Sequence, residues 1–508
     1  MALLNLKKNT FKRVLFLCFF WTAISANAKS QYQFLMTDQL VLAQNQISEL
    51  KFDEAQKLIN AQKTISNTNL AIPWLEDAII FYKLFITEDP KIYKQEQANW
   101  DAVVSRAKAM DCADGWYRFV LSDMYLHKAL VHFKFDEQFY GGFDVQSAYK
   151  YVKTNHTLYP NFLPDNKNFG FLSCVFSTVP SQFQWVTKLI GLDGNMNEGI
   201  KAVELYLNSP QTGKEHVGIK RETAFIYAMI QHHLNKQTEL SWNIVEPYTR
   251  QYKTNTMEAY MRATIAGHTG RNDEMIDILK HKPPYNSQYA FYYLDYMLGL
   301  AKLRRLDPDA DVYFKIFTIK YKGKHYMKSA YRYLAWVSII NNDLATAKTY
   351  YSLATKHGIN IIEEDKYADK EAKEQIMWPS ALLKARLLFD GRYYAQSLKV
   401  LQAIDAKVLN NTRFKLDYSY RKARVYHETK AYNEAITLYK DVIQKGQNTS
   451  YYYAAFSALQ LGYIYDALKQ GKTAIAYYKM ALDDFPDNKE YESSIEQKAK
   501  AALKKHNQ

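Results

Sequence analysis

Three arginines, Arg332, Arg386 and Arg424, recur along the chain with aromatic residues near them, Trp336, Tyr420 and Tyr463 among them. A guanidinium grips a carboxylate through two parallel hydrogen bonds, and aromatic rings cover the apolar parts of a peptide. Brought to one surface, this set would hold an acidic peptide or the C-terminal carboxylate of a protein. Left apart, the same arginines would be solvated or paired internally. Other polar clusters offer less. Asp307-Pro308-Asp309-Ala310-Asp311 imitates half of a calcium loop, but Val312 and Thr318 stand where that loop needs glycine and glutamate. It reads as a helix start whose acids suit the helix dipole. His232 and His233 point about 100° apart on a helix and are poorly placed to share a metal. Two surface or half-buried histidines are expected there. Carboxylates are scattered, with no pair marked for acid–base work. The chain carries no Gly-x-Gly-x-x-Gly, P-loop, Gly-x-Ser-x-Gly or His-Glu-x-x-His. No enzyme activity, metal or cofactor is therefore expected.

The elements that must position these residues are helical. Of 508 residues, 48% are hydrophobic and 23% charged, which excludes a disordered chain. Glycine (18) and proline (12) fall well below their usual combined share of about 12%. That favours helices with short connections over turn-rich β folds. No stretch alternates with period two, so no sheet is expected.

The clearest unit runs Leu461-Gly462, Tyr465, Ala474, Tyr478, Ala481 and Pro486. Gly462 and Ala474 are small because two antiparallel helices cross closely there. Tyr465 and Tyr478 fill the space between hairpins, and Pro486 sets the exit. Ala423, Tyr426, Ala435, Tyr439 and Val442 repeat the pattern, as do Ala385, Leu388, Ser397, Leu401 and Ile404, and Ala335, Ala347, Tyr351 and Ala354. Equivalent positions 347, 397, 435 and 474 are 50, 38 and 39 residues apart. The widest gap holds Glu363-Glu364-Asp365-Lys366, expected as a surface loop or short extra helix. Upstream, helices are expected over 116–133, 221–234, 242–252, 257–267, 273–279 and 289–303. Leu50-Lys51-Phe52-Asp53-Glu54-Ala55 reads as a first turn and helix opening. Lys498, Lys500, Lys504 and Lys505, beside Ala499, Ala501, Ala502 and Leu503, suit a terminal capping helix.

This order of small, aromatic, small and aromatic residues before a proline resembles the tetratricopeptide repeat, whose period is about 34. The resemblance implies an all-α fold, an α-α superhelix or solenoid of helical hairpins with lengthened connections. A second stretch, 168–207, contains Asn168-Phe169-Gly170-Phe171, Ser177, Pro180, Trp185, Gly191, Gly194 and Gly199. It resembles the inclusion-body-clearance type of tetratricopeptide protein, which supports the fold and transfers no function. In such arrays the first helices line a concave groove. That implication places Arg332, Trp336, Arg386, Tyr420, Arg424 and Tyr463 in the groove, with Ile339, Leu382, Phe389, His427, Phe456, Leu459 and Asp466 around them. Most of the 42 tyrosines are then structural.

At the N-terminus, Lys7, Lys8, Lys12 and Arg13 precede an apolar run, Val14 to Ile24, and Ala26-Asn27-Ala28 offers a cleavage site. This is a secretory signal. The apolar core is shorter than the roughly 20 residues of a bilayer span. Cys18 follows bulky residues, which argues against lipidation. The expected organisation is a signal peptide over 1–28, degenerate helical repeats over 29–210 and a repeat array over 211–508. Cleavage removes four basic residues and no acidic ones, so the net charge of +14 becomes +10. The charges are interspersed, and no nucleic-acid partner or membrane span is expected in the mature chain. Cys112 and Cys174 remain, either bonded or as free buried thiols.

The reading that unites these features is an exported, non-catalytic scaffold, periplasmic or envelope-associated, that binds a protein or peptide. The alternatives are a glycan-binding component of an outer-membrane uptake system and an enzyme built on a helical solenoid or toroid. Mass spectrometry of the exported chain should find Lys29 as its first residue. Retention of residues 1–28 in the exported fraction would overturn the signal assignment.

Overall fold

A computed structural model describes residues 31–177, 191, 194–233, 237–285, 289–409, 411–485 and 491–506. The signal segment, Pro180, Trp185 and Pro486 lie outside them. The described residues form an all-α solenoid of consecutive helical hairpins. The pairs are α1 (Asp38–Ser48) with α2 (Phe52–Ile65), α3 (Ala71–Thr87) with α4 (Pro90–Lys108), and α5 (Gly115–Lys134) with α6 (Gln138–Leu158). Next come α7 (Asp165–Phe176) with α8 (Met196–Leu207), α9 (Lys214–His233) with α10 (Thr238–Val245), and α11 (Thr256–His268) with α12 (Asn272–Lys280). Then follow α13 (Tyr293–Arg304) with α14 (Ala310–Lys320) and α15 (Met327–Ile340) with α16 (Leu344–Lys356). An extra helix, α17 (Glu363–Lys373), precedes α18 (Ser380–Asp390) with α19 (Tyr394–Gln402). The array ends with α20 (Thr412–Glu428) and α21 (Tyr432–Gly446), α22 (Tyr453–Ala467) and α23 (Gly471–Asp483), and the single α24 (Glu492–His506). Among the described residues, extended pairing is limited to one isolated bridge, Gln33 with Asn69.

One local device closes most of these hairpins. Leu50, Asp136, Gly270, Leu306, Asn342, Arg392, Lys430 and Lys469 all adopt positive φ just after a first helix. At Lys430 the N–H donates to His427 O (3.0 Å) and the next N–H, of Ala431, donates to Tyr426 O (2.8 Å). The other seven turns repeat both bonds. This is the left-handed C-terminal cap that satisfies the last free carbonyls of a helix. Glycine is the residue suited to it, yet only one of the eight is glycine, Gly270. The left-handed conformation costs a side-chain-bearing residue about 1–2 kcal/mol, so the fold tolerates a small strain at each turn.

Stacking supplies what the turns cost. A single hairpin cannot bury its apolar faces, and its neighbours complete the core. One core runs from Met36 to Leu387. Smaller clusters continue through Leu401 and Val425, through Tyr439 and Ile464, and on to Ile495 and Ala502. The repeat positions are the buried ones: Ala335, Ala347, Tyr351, Ala385, Ser397, Ala423, Ala435, Tyr439, Ala474 and Tyr478 are all inaccessible. A methyl group on Gly462 would lie 2.2 Å from the Tyr478 ring, so this glycine is small to admit that ring. Tyr465 stacks on Tyr477 with planes 2° apart. Gly170 and Gly199 let α7 and α8 cross in backbone contact, since a methyl on either would meet the other's carbonyl oxygen at 2.7–2.8 Å. In α24, Ile495, Ala499 and Ala502 face inward while its lysines face water.

Some expected boundaries shift. The 242–252 helix starts earlier, at Thr238, and ends at Val245, where Pro247 enters a 3-10 turn, Glu246–Tyr248. The insertion at Glu363 is a helix, and it is a packed one. Asp365 Oδ2 and Oδ1 accept from the N–H groups of Tyr326 (2.6 Å) and Ser329 (2.9 Å), capping the start of α15. Asp369 accepts from Lys328 at 2.8 Å.

Replacing Lys430 with glycine removes the left-handed strain and adds the unfolded-state entropy of glycine, about 0.5–1 kcal/mol. A rise in the denaturation midpoint worth about 0.5 kcal/mol is expected, with a loss for Lys430→Val. Equal midpoints for the two variants would refute the strain argument.

Candidate functional site

Five arginines gather on the last hairpins, carried by α15, α18 and α20. The floor is set by Glu371 of α17. Its Oε1 accepts from Trp336 Nε1 (2.5 Å), Tyr351 OH (2.8 Å) and Trp378 Nε1 (3.1 Å). All four residues are buried. Burial, and next the Glu371 charge, push the Tyr351 hydroxyl far above its ordinary range, so it stays a donor.

Trp336 then meets two cations. The Arg332 guanidinium lies 5.0 Å from its ring centroid and that of Arg386 lies 4.6 Å away. Arg332 also reaches the Tyr333 OH, at 3.4 Å, and its buried Nε has no hydrogen-bond partner. Arg386 makes no hydrogen bond among the described residues. Its nearest carboxylate, Asp390, is 4.0 Å away. The ladder continues in the next unit, where Arg424 sits 4.8 Å from the Phe389 centroid and bonds the Tyr420 OH (3.3 Å) and Glu428 (3.4 Å). Arg413 and Arg421 pair with Glu374 (2.7 Å) and Asp417 (2.8 Å). Cation–ring contacts of this kind contribute about 0.5–2 kcal/mol each.

The six residues singled out by the sequence do converge, but on two levels. Arg332, Trp336 and Tyr420 are only 5%, 1% and 4% exposed, so they form the floor and do not line the groove as expected. The helix spacing is right, but the ring contacts and neighbouring helices cover these side chains. Arg386, Arg424 and Tyr463 are half-buried and reach the surface. Burial pushes the Tyr463 hydroxyl up to about 12, with the Arg424 charge opposing. Beside Arg386 lies a cavity of about 30 Å³, lined also by Glu371, Trp378, Arg413 and Tyr452. That is the room of about one water molecule.

Sequence reasoning missed Glu371 and Trp378. The signal was faint: Ala368 and Ala372, four apart, mark a packed face beside Asp365, Asp369 and Glu371. It also missed a buried polar knot in the N-terminal half, around a cavity of about 40 Å³. There His127 Nδ1 meets Asp77 Oδ2 at 2.6 Å, and Lys167 bridges Asp123 (2.6 Å) and Glu222 (2.9 Å). Burial opposes the charged form of His127, and Asp77 overcomes it and raises the pKa. Each charge there has an opposite partner, which suits a satisfied internal network.

The remaining clusters resolve simply. Asp307 and Asp309 meet Lys302 and Arg305, and α14 starts at Ala310 behind them. His268 joins His232 and His233, with ring centroids 4.7–5.2 Å apart. Among the described residues no group of three or more His, Cys, Asp or Glu is placed to hold a metal, and no helix is long and apolar enough to cross a membrane. Cys112 and Cys174 are free and buried. Compared with known proteins, the chain matches no family model and no curated protein.

At neutral pH the positive charge of this cluster comes from arginine. Burial, chiefly, holds the nearby His427 down to about 4, and the Arg424 charge adds to the effect. Between pH 6.5 and about 4 the unfolded chain binds the proton that folded His427 refuses, so stability falls on acidification through this window. The variant His427→Gln should lose less of its denaturation midpoint between pH 7 and pH 4.5 than the parent. Identical losses would show that this ring is not held neutral.

Proposed function

We propose that the chain is an exported, non-catalytic scaffold of tetratricopeptide type, periplasmic or bound to the cell envelope. Its groove over α18, α20 and α22 holds an acidic peptide segment or a protein's C-terminal carboxylate. The observation that carries this reading is Arg386. Its guanidinium is half-buried, stacked on Trp336, positioned at a cavity and left without a hydrogen-bonding acceptor. A carboxylate arriving there meets a preorganised, partly desolvated cation. Arg424, with Glu428 at 3.4 Å and a buried unpartnered Nε, extends the same surface along the array. The basic n-region, apolar run and Ala26-Asn27-Ala28 support export. The glycan alternative finds less support. Sugar sites need open aromatic platforms, whereas the rings here pack on one another.

The test is fluorescence anisotropy with a labelled ten-residue peptide of Asp, Glu and Phe bearing a free C-terminus. Each hydrogen bond to a charged partner contributes about 1.5–3 kcal/mol, so Arg386→Ala plus Arg424→Ala should weaken binding at least tenfold. Raising salt should weaken the parent's binding far more than the double variant's. Unchanged affinity in the double variant would overturn the assignment.

A further inference from the structure

The approach to Arg386 is narrowed by the chain itself, which leaves its side chain 18% exposed. The cavity is walled on one side by Tyr367, Lys370 and Glu371, all on α17. The facing wall is Arg386 with Tyr452 and Tyr491. The two walls meet where the Tyr367 and Tyr491 rings stack, with centroids 3.6 Å apart and planes 25° apart. Tyr491 is held from behind by Tyr452, whose ring lies edge-on at 4.9 Å, and by Phe456 at 6.1 Å. Tyr367 is fixed on its own helix by a bond from its OH to Glu363 (2.7 Å). Tyr491 itself has φ +61°, a left-handed backbone that is strained for any residue but glycine. With the rings in contact, the space at Arg386 is about 30 Å³, enough for water and too small for a peptide carboxylate with its chain.

We propose that the Tyr367–Tyr491 stack is an internal latch that regulates the groove, an inference that rests on the reading of Arg386 as an anion-binding group. In the closed state the stacked tyrosine rings narrow the way to the guanidinium. In the open state α17 and the start of α24 separate, the guanidinium is exposed, and an acidic chain end enters between the rings and replaces their mutual contact. The ligand then binds only the open fraction, so the apparent affinity is the intrinsic one reduced by that fraction. An aromatic pair of this kind shifts such an equilibrium by about 2- to 10-fold.

Two independent readouts separate the latch from the groove. The first is the rate at which phenylglyoxal modifies Arg386, followed by mass spectrometry without any peptide. Tyr367→Leu and Tyr491→Leu, checked for unchanged helical circular dichroism, should be modified several-fold faster than the parent, and Tyr367→Phe at the parent's rate. The second is binding of the labelled acidic peptide. The two leucine variants should bind it about 3- to 10-fold tighter, and adding Arg386→Ala should abolish the gain. Stopped-flow mixing with the unaltered chain covers the case in which a variant fails to fold. Its observed association rate should level off at high peptide concentration, at the opening rate of the latch. Equal modification rates, or a rate that stays linear in peptide concentration, would overturn the latch and leave the groove intact. Faster modification with no peptide binding in any form would keep the latch and overturn the groove reading.

Discussion

One carboxylate oxygen, Glu371 Oε1, accepts hydrogen bonds from three different stretches of chain, and the inner face of the last hairpins is arranged around it. Two tryptophans and a tyrosine bring neutral donors to it, so its charge is held in place without being consumed by a direct ion pair. Its field favours the cations Arg332 and Arg386, both of which contact the Trp336 indole. Had either arginine paired directly with Glu371, that guanidinium would have been spent internally. Neutral donors on the acid and a ring beneath the cations leave charge at the surface in a partly dry setting. This is how Arg332 and Arg386 stay apart from close counter-ions while Arg413, Arg421 and Arg424 beside them pair with Glu374, Asp417 and Glu428.

The scaffold that presents this site depends little on any one residue at its turns. The same pair of backbone hydrogen bonds closes eight hairpins whose left-handed residues are leucine, aspartate, glycine, asparagine, arginine and lysine. Backbone geometry sets the turn, and the apolar stack on either side outweighs its strain. Hairpins of unequal length can therefore follow one another, and an extra helix such as α17 can be inserted between two of them without disturbing the packing that follows.

The parts of this organisation that were legible share a physical cause. Ala335, Ala423, Gly462 and Ala474 had to be small and Tyr439 and Tyr478 large because helices meet at fixed spacings, and fixed spacings survive in a sequence. The arginine series was legible for the same reason, since Arg332 lies one turn before Ala335 and Arg386 and Arg424 directly follow Ala385 and Ala423. What escaped notice was the pairing of charges across long separations. Glu363-Glu364-Asp365-Lys366 looks like a solvated run. Only the fold shows that Asp365 caps α15 and that Glu371 serves residues from α15, α16 and the segment after α17. The knot of Asp77, Asp123, His127, Lys167 and Glu222 was hidden likewise, its members lying on α3, α5, α7 and α9. Depth also escaped: periodicity tells which way a side chain points, but not how many neighbours cover it, so Arg332, Trp336 and Tyr420 were assigned to the surface.

The position of Trp336 has an optical consequence. Its indole lies near two guanidinium charges and donates its N–H to a carboxylate, so its excited-state dipole feels a strong, directed local field. An anion settling beside Arg386 changes that field on one side only. The emission of this indole, one of eight in the chain, would then shift with the charge beside Arg386, a gauge that is read once the other seven are replaced.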